Sequence, residues 1–379
     1  MSRVPKLRFP EFNEEWEEKK LSEVTKINQG LQIPISDRYI EQVENSFFYI
    51  TNEFLKENSQ KKYFIKNPSQ SVLCDENDIL MTRTGNTGQV VTNVNGAFHN
   101  NFFKIKYDDC ISKNYLVYFL RSTKTQNKIL SLAGTSTIPD LNHGDFYKIK
   151  IPLPLKQEQE KIAFFLTSVD TKIEQLTKKE ALLQEYKKGV MTKIFSQEIR
   201  FKADDGSEFP EWEENLLGDV LEYIQPTKYL VKDTEYDNSY NIPVLTAGKT
   251  FILGYTNETD GIFENNLPVI IFDDFTTANK FVDFPFKAKS SAMRILTPKN
   301  NNNIKFIYEA MQMIKYEVGG HERHWISKFT FLNIFMPCIQ EQTKIANFLS
   351  SIDKKIELIS KEIEKAKEFK KGLLQQMFV

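Results

Sequence analysis

The feature that most constrains this chain is a long segment that occurs twice. The first copy begins at Pro154 and the second at Pro337, and the alignment runs without a gap to Phe195 and Phe378. The identical positions of its first half are Gln157 and Gln340, Glu158 and Glu341, Gln159 and Gln342, Lys161 and Lys344, Ile162 and Ile345, Ala163 and Ala346, Phe165 and Phe348, Leu166 and Leu349, Ser168 and Ser351, Asp170 and Asp353, Lys172 and Lys355, Ile173 and Ile356, and Glu174 and Glu357. Because a repeat decides the architecture of a chain, we predict a duplicated unit.

The remainder of the repeat is circular. After the first copy the chain reads Ile199-Arg200-Phe201, and later Trp212 followed by two glutamates. Matching short sequences occur near the N-terminus as Leu7-Arg8-Phe9 and as Trp16 followed by two glutamates. The N-terminal residues therefore continue the second copy where it stops. We expect the two termini to lie close together, as they do in proteins that tolerate circular permutation.

Both copies have the hydrophobic spacing of a coiled coil. The apolar positions alternate in steps of four and three, which is the repeat of about 3.5 residues that keeps one seam facing a partner helix. The predicted seam residues are Ile162, Leu166, Val169, Ile173 and Leu176 in the first copy and Ile345, Leu349, Ile352, Ile356 and Ile359 in the second. Each helix needs a partner, and the simplest partner is the other copy. A pseudo-two-fold axis would pair the two helices antiparallel.

Composition limits the class of protein. The net charge is -1, from 50 Lys and Arg against 51 Asp and Glu, which argues against a simple basic DNA-binding domain. If the chain binds DNA, a partner must supply much of the phosphate neutralisation, or the basic residues must be concentrated on one face. Apolar runs are too short to span a membrane, and the first residues lack a signal peptide, so we expect the cytoplasm. Cys74, Cys110 and Cys338 have no zinc or disulfide spacing, and no metal is implied.

The blocks between the repeats are unrelated. Residues 25–145 and 221–328 share almost no sequence. Each block is followed by a segment whose sequence is repeated, and we call the repeated segments the frame. Both blocks predict mixed structure, with strands at 79–82, 89–94, 269–272 and 293–296, a hairpin turn at Asn95-Gly96 and a late helix near residues 115–131 and 305–316, respectively. The predicted fold is α+β, with two globular mixed α/β domains separated by two long antiparallel coiled-coil helices. The predicted segments are 1–19 (completing the C-terminal copy), 20–153 (first domain), 154–196 (central helix), 197–214 (connection), 215–336 (second domain) and 337–379 (C-terminal helix).

The whole chain resembles the specificity subunit of type I restriction-modification enzymes. The residues that carry the resemblance are the opening Leu7-Arg8-Phe9-Pro10, the run from Ile151 to Ala163, the ending Lys187-Lys188-Gly189 and their second copies. The resemblance implies two target-recognition domains that read the halves of a split double-stranded DNA target, with the helices as a ruler. It also implies two modification (methyltransferase) subunits and restriction (translocase and nuclease) subunits as partners. S-adenosylmethionine, ATP and Mg²⁺ would belong to those partners, and this chain would carry no cofactor.

The family offers no shared motif for base reading, so the candidates come from polar loops. Arg83 to Gly88 combines a forked donor, an amide and two glycines, which suits bidentate base contacts and close backbone approach. The segment 134–143 is a second candidate, and 319–325 lies at the equivalent place in the second domain. The predicted DNA-binding residues are Arg83, Thr84, Asn86, Ser136, Thr137, Asn142, His143, Lys249, Lys280, His321, Arg323, His324, Trp325 and Lys328.

Other interpretations of these motifs remain open. The predicted base-reading loops are also ordinary polar turns, and the Asp273-Asp274 pair suits a turn better than a magnesium site. His321 and His324 have no cysteine or acidic partner at the spacing of metal ligands, which favours a surface or DNA-facing role over a metal site. No adenine-methylation motif or complete phosphate loop is present, so we predict a non-catalytic protein. The competing functions are a coiled-coil adaptor that joins two protein-binding domains and a specificity subunit of another DNA-modifying enzyme.

Overall fold

The computed structural model describes residues 4–56, 59, 61–134, 137–248, 250–316 and 323–378. The chain divides into two compact units. Unit 1 contains Met1–Lys178 and Lys361–Val379, and unit 2 contains Lys179–Ser360. Each unit therefore combines one globular domain with part of both repeat helices.

Unit 1 is built on two four-stranded sheets and one strand pair. Its strands are β1 (Glu17–Lys20), β2 (Thr25–Gln29), β3 (Ser46–Ile50), β4 (Phe64–Lys66), β5 (Leu73–Cys74), β6 (Ile79–Thr82), β7 (Val90–Thr92), β8 (Gly96–Phe98), β9 (Phe102–Tyr107) and β10 (Lys150–Leu153). Its helices are α1 (Leu21–Val24), α2 (Lys113–Arg121), α3 (Thr123–Ala133), α4 (His143–Tyr147) and the first part of α5 (Lys156–Phe195). The sheet orders are β2-β9-β6-β7, β4-β3-β8-β5 and β1-β10.

Strand β6 lies between two cores of unit 1. Ile79 and Met81 pack in the cluster that includes the long helices, whereas Leu80 packs with Phe98 and Phe102 in a separate cluster. Successive side chains of a strand point to opposite faces of the sheet, which explains this alternation. Because both faces are covered, the strand contains only apolar residues and one buried threonine.

Two local predictions for unit 1 need correction. The turn at Asn95-Gly96 joins no hairpin, because β7 pairs with β6 whereas β8 pairs with β3 and β5 in the other sheet. The helix expected near residues 115–131 is two helices. Ser122 lies between them in an extended conformation and caps α3 by accepting a hydrogen bond from Thr125 N at 3.3 Å.

Unit 2 has the same plan with different sheets. Its strands are β11 (Glu213–Leu216), β12 (Leu221–Ile224), β13 (Ile242–Leu245), β14 (Ile252–Thr256), β15 (Val269–Asp273), β16 (Asn279–Val282), β17 (Lys287–Ala288), β18 (Met293–Pro298) and β19 (Asn333–Met336). The helices that follow α5 are α6 (Leu217–Val220), α7 (Ile304–Met311), α8 (His324–Ser327) and α9 (Ile339–Met377), of which α9 ends in unit 1. The sheet orders are β12-β18-β15-β16, β14-β13-β17 and β11-β19.

The copied frame has the same hydrogen bonds in both units. Strands β1 and β10 pair antiparallel as β11 and β19 do. Glu158 accepts hydrogen bonds from Arg8 Nε and Nη2, both at 2.8 Å, and from Trp16 Nε1 at 3.2 Å. Its counterpart Glu341 accepts the same three bonds from Arg200 and Trp212 at 3.3, 2.9 and 3.1 Å. The N-terminal segment therefore occupies in unit 1 the place that the connection after α5 occupies in unit 2.

The described ends of the chain meet in unit 1, as the circular repeat predicts. The backbone N–H of Leu7 donates to the carbonyl of Gln376 at 3.0 Å. In unit 2 the equivalent bond runs from Ile199 to Lys193 at 3.1 Å. The same bond is thus made within one continuous stretch of chain in unit 2 and between the two chain ends in unit 1.

The repeat helices pair antiparallel within each unit. In unit 1 a single cluster contains Ile162 and Leu166 of α5 with Leu373 and Met377 of α9. In unit 2 the corresponding cluster contains Met191, Ile194, Ile345, Leu349 and Ile352, with Ile356 packed against it. Leu176 and Ile359 are buried, and Val169, Ile173 and Ile356 are half-buried. Of the ten proposed seam residues, seven are buried and three are half-buried.

Candidate nucleic-acid interface

The first candidate loop follows β6 and is tied to a segment far along the chain. Arg83 Nη2 lies 2.6 Å from Asp140 Oδ2, and Leu141 N donates to the carbonyl of Arg83 at 2.8 Å. Thr87 Oγ1 donates to the carbonyl of Pro139 at 2.7 Å. Arg83 is thus paired rather than free, and its Nε is buried without a hydrogen-bond partner among the described residues. The two candidate segments of the first domain form one surface.

Glycines allow this loop to turn tightly. Gly85 has φ +83° and Gly88 has φ +91°, in the left-handed region where a Cβ is strained. A Cβ at Gly85 would lie 2.1 Å from Asn52 Nδ2, which donates to the carbonyl of Thr84 at 3.1 Å. The loop consequently presents Asn86 at its exposed tip.

The second candidate segment contributes exposed groups and one engaged amide. His143 is exposed, and its ring centroid lies 4.8 Å from that of Phe103, over which the Arg83 guanidinium also lies at 5.8 Å. Asn142 caps α4 by accepting from Asp145 N at 2.9 Å while its Nδ2 donates to the Asp145 carboxylate at 2.6 Å. Thr137 is exposed, and Ser136 lies outside the described residues.

In the second domain the placement differs from the sequence prediction at two residues. His324 and Trp325 are both 1% exposed, so both side chains are buried and not presented at the surface. Asp274 anchors the start of α8, because it accepts the backbone N–H of His324 on its carbonyl and that of Trp325 on its carboxylate, both at 2.9 Å. The carboxylate is itself paired with Arg294 at 2.8 Å, which makes Asp274 a structural residue.

The other candidates of the second domain are solvent-facing or outside the described part. Arg323 and Lys328 flank α8 and are exposed, and Lys280 is exposed on β16. Lys249 and His321 lie outside the described residues. The structure therefore brings Arg323 and Lys328 together around one short helix.

A charge network joins the second domain to its helix pair. Lys187 Nζ lies 2.7 Å from Asp353 and 3.0 Å from Glu309, and Lys305 Nζ lies 2.8 and 2.7 Å from the same two carboxylates. Burial tends to raise the pKa of Asp353, but the hydrogen bonds and charges of the two lysines hold that pKa below its ordinary value. Burial tends to lower the pKa of Lys305, and the carboxylates of Glu309 and Asp353 outweigh it and raise that pKa.

The first domain uses a phenol at the place of one of these carboxylates. Lys370 Nζ lies 2.5 Å from Asp170 Oδ1, and Tyr118 OH donates to Asp170 Oδ2 at 2.8 Å. Burial, opposed by the hydrogen bond from Thr167 and supported by the one to Asp170, raises the pKa of Tyr118 to about 12. The Lys–Asp pair of the domain-to-helix junction is thus the same in both units. The residue that the globular domain adds to the pair differs, because it is Tyr118 in unit 1 and Glu309 in unit 2.

The exposed side of the helices also carries a copied pattern. Tyr186 of α5 is 52% exposed, and its counterpart Phe369 of α9 is 55% exposed. Three residues further on, a Cβ at Gly189 or at Gly372 would meet no other described part of the chain within 4 Å. Glycine inside a helix costs about 1 kcal/mol relative to alanine, and nothing described around either glycine requires it.

Two further properties concern the described residues alone. No group of three or more His, Cys, Asp or Glu side chains among them is arranged to hold a metal ion. No helix in that part of the chain is long and apolar enough to cross a membrane.

Comparison with known proteins identifies the family. Residues 13–184 and 210–368 match the family model described as the type I restriction modification DNA specificity domain. The chain is 52% identical to the EcoR124I/EcoR124II type I restriction enzyme specificity subunit of Escherichia coli over 141 residues, which are 36% of this chain and only 35% of that protein. It is 27% identical to the MjaVIII type I restriction enzyme specificity subunit of Methanocaldococcus jannaschii over 401 aligned residues, which cover 97% of this chain and 92% of the relative.

A solved structure shares the fold. The crystal structure of the type I restriction-modification system S subunit from M. genitalium superposes with a TM-score of 0.67 at 18% identity, over 99% of each chain. The two matched stretches of the family model span most of the sequence and both domains. This chain therefore belongs to the type I restriction modification DNA specificity domain family.

Proposed function

We propose that this chain is the DNA sequence-specificity subunit of a type I restriction-modification complex and that it reads an asymmetric target in two separate halves. One observation carries the proposal. The strand pair, the Glu158 and Glu341 hydrogen bonds and the helix pair are copied between the units, whereas the sheets are built from unrelated sequences. A copied frame suits two copies of one partner, and dissimilar domains suit two different half-sites. Membership of a DNA-specificity family favours this function over a protein adaptor.

The long helices would set the distance between the half-sites. Helix α5 has 40 residues and α9 has 39, each without a break. At 1.5 Å per residue each is a rod of about 60 Å. One face of the DNA major groove recurs about every 10 base pairs, or roughly 34 Å, so a rigid pair of rods would fix the number of unread base pairs. The gap in the target would then be a property of the helices and not of the domains.

Base contacts of the first domain would come from the surface around the Arg83 loop. Asn86 is exposed at its tip, and an asparagine amide can form two hydrogen bonds with adenine. Thr84, Thr137 and His143 would contribute from the same surface. Arg83 would hold the loop through Asp140 and offer its remaining donors to a guanine. The remaining candidates of this domain are Asn142, which would orient α4, and Ser136.

In the second domain the contacts would come from the surface around α8. Arg323 and Lys328 are exposed there, and Lys280 on β16 would touch phosphate. Buried His324 and Trp325 would shape the surface from below. Lys249 and His321 stay proposals that rest on sequence alone.

The copied outer face of the helices would dock two methyltransferase subunits. Tyr186 and Phe369 give each docking face one exposed aromatic side chain, and Gly189 and Gly372 would let a partner helix approach closely. These subunits would supply S-adenosylmethionine chemistry, and the restriction subunits would use ATP and Mg²⁺. The chain itself would contribute no catalytic group. Such a complex would work on DNA in the cytoplasm.

Methylation mapping tests the proposal. The chain is co-expressed with its methyltransferase subunit in a host that lacks adenine methylation, and N6-methyladenine is mapped by single-molecule sequencing. We expect one motif with two short, dissimilar halves around a fixed gap. A continuous motif or cytosine methylation would indicate a specificity subunit of a different enzyme. A complex that forms without any methylated motif would contradict DNA reading and favour an adaptor.

A further inference from the structure

Unit 1 contains a basic cleft that none of the predicted DNA contacts uses. It has a volume of about 910 Å³ and lies between α3 and the β1–β10 strand pair. Four lysines and two glutamates line it, namely Lys124, Lys128, Lys148, Lys150, Glu17 and Glu18. Lysines from α3, from β10 and from the turn that follows α4 thus converge on one concave surface.

The charges of this cleft do not cancel. Glu18 lies 2.5 Å from Lys150, and Glu17 lies 3.1 Å from Lys19. Lys148 lies 2.8 Å from Asp145. Both acidic side chains of the cleft are therefore engaged by lysines of the strand pair.

The two lysines of α3 remain. Both Lys124 and Lys128 are exposed, and within the described parts of the chain neither has an ion-pair partner. They are four residues apart, so they lie one turn apart on the same face of the helix, where like charges repel. No described carboxylate lies within ion-pair distance of either lysine, whereas an anion bound in the cleft would offset the repulsion. The cleft therefore has the charge of an anion-binding surface.

The position of α3 indicates which anion. Gln126 Nε2 donates to the carbonyl of Gly88 at 2.9 Å, so one flank of α3 supports the Arg83–Gly88 loop. Two residues along a helix correspond to more than half a turn, so Lys124 and Lys128 project from the opposite flank. The loop and the lysines thus lie on opposite flanks of one helix about 10–12 Å in diameter, so a major groove about 12 Å wide that admits the loop brings a bordering phosphate strand within reach of the lysines.

We propose that this cleft binds the phosphate backbone that borders the half-site read by the first domain. The inference rests on the proposed function and adds a phosphate contact to it. The Arg83 loop would enter the groove while Lys124 and Lys128 meet one bordering strand. A chain with a net charge of -1 would thereby concentrate cationic groups where DNA passes.

The test compares two double variants in the assembled methyltransferase complex. Lys124→Gln with Lys128→Gln removes both α3 charges. Lys26→Gln with Lys106→Gln is the matched control, because these exposed lysines face each other across β2 and β9 and do not line the cleft. Binding to a duplex that carries the mapped motif, and to a duplex without it, is measured from 50 to 200 mM salt.

Each lost phosphate contact lowers the slope of log affinity against log salt by about 0.9. For the cleft variant we expect the slope to become less steep by about 1.8 on both duplexes, while its methylated motif stays unchanged. The control variant should keep the wild-type slope. A cleft variant with the wild-type slope would overturn the phosphate contact while leaving the mapped motif, and so the proposed function, intact. Loss of a methyltransferase subunit from the cleft variant would also overturn it, because the cleft would then be a protein-docking site.

Discussion

Lys370 Nζ lies 2.5 Å from Asp170 Oδ1, and this ion pair joins the end of α9 to the start of α5 in unit 1. The equivalent pair in unit 2 is Lys187 with Asp353, at 2.7 Å. Each helix thus provides the lysine of one pair and the aspartate of the other. Because a shift by one helical turn would separate both pairs, they specify the antiparallel register of the helices as well as adding to stability.

Neutralising the two aspartates should have unequal effects. Asp353→Asn leaves Lys187 and Lys305 with Glu309 alone, whereas Asp170→Asn removes the partner of one lysine and of Tyr118. We expect a loss of about 2 kcal/mol in unit 2 for the first change and about 1 kcal/mol in unit 1 for the second. Native-state hydrogen exchange of each unit measures both losses. Equal losses would show that the larger network adds nothing.

The charge network also predicts a pH dependence of unit 2. The pKa of Asp353 is lowered in the folded chain, so its contribution is complete above the unfolded value of about 3.9 and is lost as the pH falls through the folded value. The pKa of Lys305 is raised, so its contribution is complete below about pH 10.4 and is lost as the pH rises through the folded value. Acid titration of stability should be flatter in Asp353→Asn than in the wild type. An unchanged acid limb would contradict the assignment to Asp353.

Removing the arginine of each copied carboxylate should destabilise the unit that contains it. Arg8→Ala and Arg200→Ala each leave a buried glutamate without its ion-pair partner, which costs about 3–5 kcal/mol. We expect native-state hydrogen exchange to show this loss in unit 1 for Arg8→Ala and in unit 2 for Arg200→Ala. A loss confined to the other unit, or no loss in either, would contradict the copied role of the two arginines.

Each of the two exposed aromatic residues of the helices should be required for binding one methyltransferase subunit. Tyr186→Asp or Phe369→Asp alone should reduce the methyltransferase subunits from two to one per chain, and the double variant should bind none. Thr177→Asp is the matched control, because Thr177 is exposed and its hydroxyl donates to the carbonyl of Ile173 in the same helix. Native mass spectrometry counts the subunits. Two bound subunits in the double variant would place the docking surface elsewhere.

The sequence predicts the repeated parts of this protein better than the variable ones. The circular repeat anticipates the Leu7–Gln376 hydrogen bond, because a copied sequence implies copied contacts. The seam follows from its spacing alone, since the period of apolar residues determines which face of a helix is covered. These features repeat within the chain and can be read by comparing it with itself.

The variable domains depend on contacts between distant residues, and there the sequence is less informative. The Arg83–Asp140 pair joins residues that are 57 positions apart, and no local sequence pattern predicts it. The indole of Trp325 packs against Phe272, and the carboxylate of Asp274, 51 positions away, accepts its backbone N–H. The phenol of Tyr118 at the unit 1 junction occupies a place that Glu309 fills in unit 2, which no alignment of the blocks suggests. Burial at these sites is set by tertiary contacts that residue type alone does not specify.

The most direct test of the account lengthens one helix without touching either domain. Four residues inserted after Thr177 add about 6 Å of helix, which corresponds to roughly two base pairs of DNA. N6-methyladenine is then mapped for the wild-type and the insertion complexes in the same host. We predict that both half-site sequences stay the same while the gap between them lengthens or methylation is lost. Altered bases within either half-site would contradict the claim that the domains recognise the half-site sequences and that the helices set the number of base pairs between them.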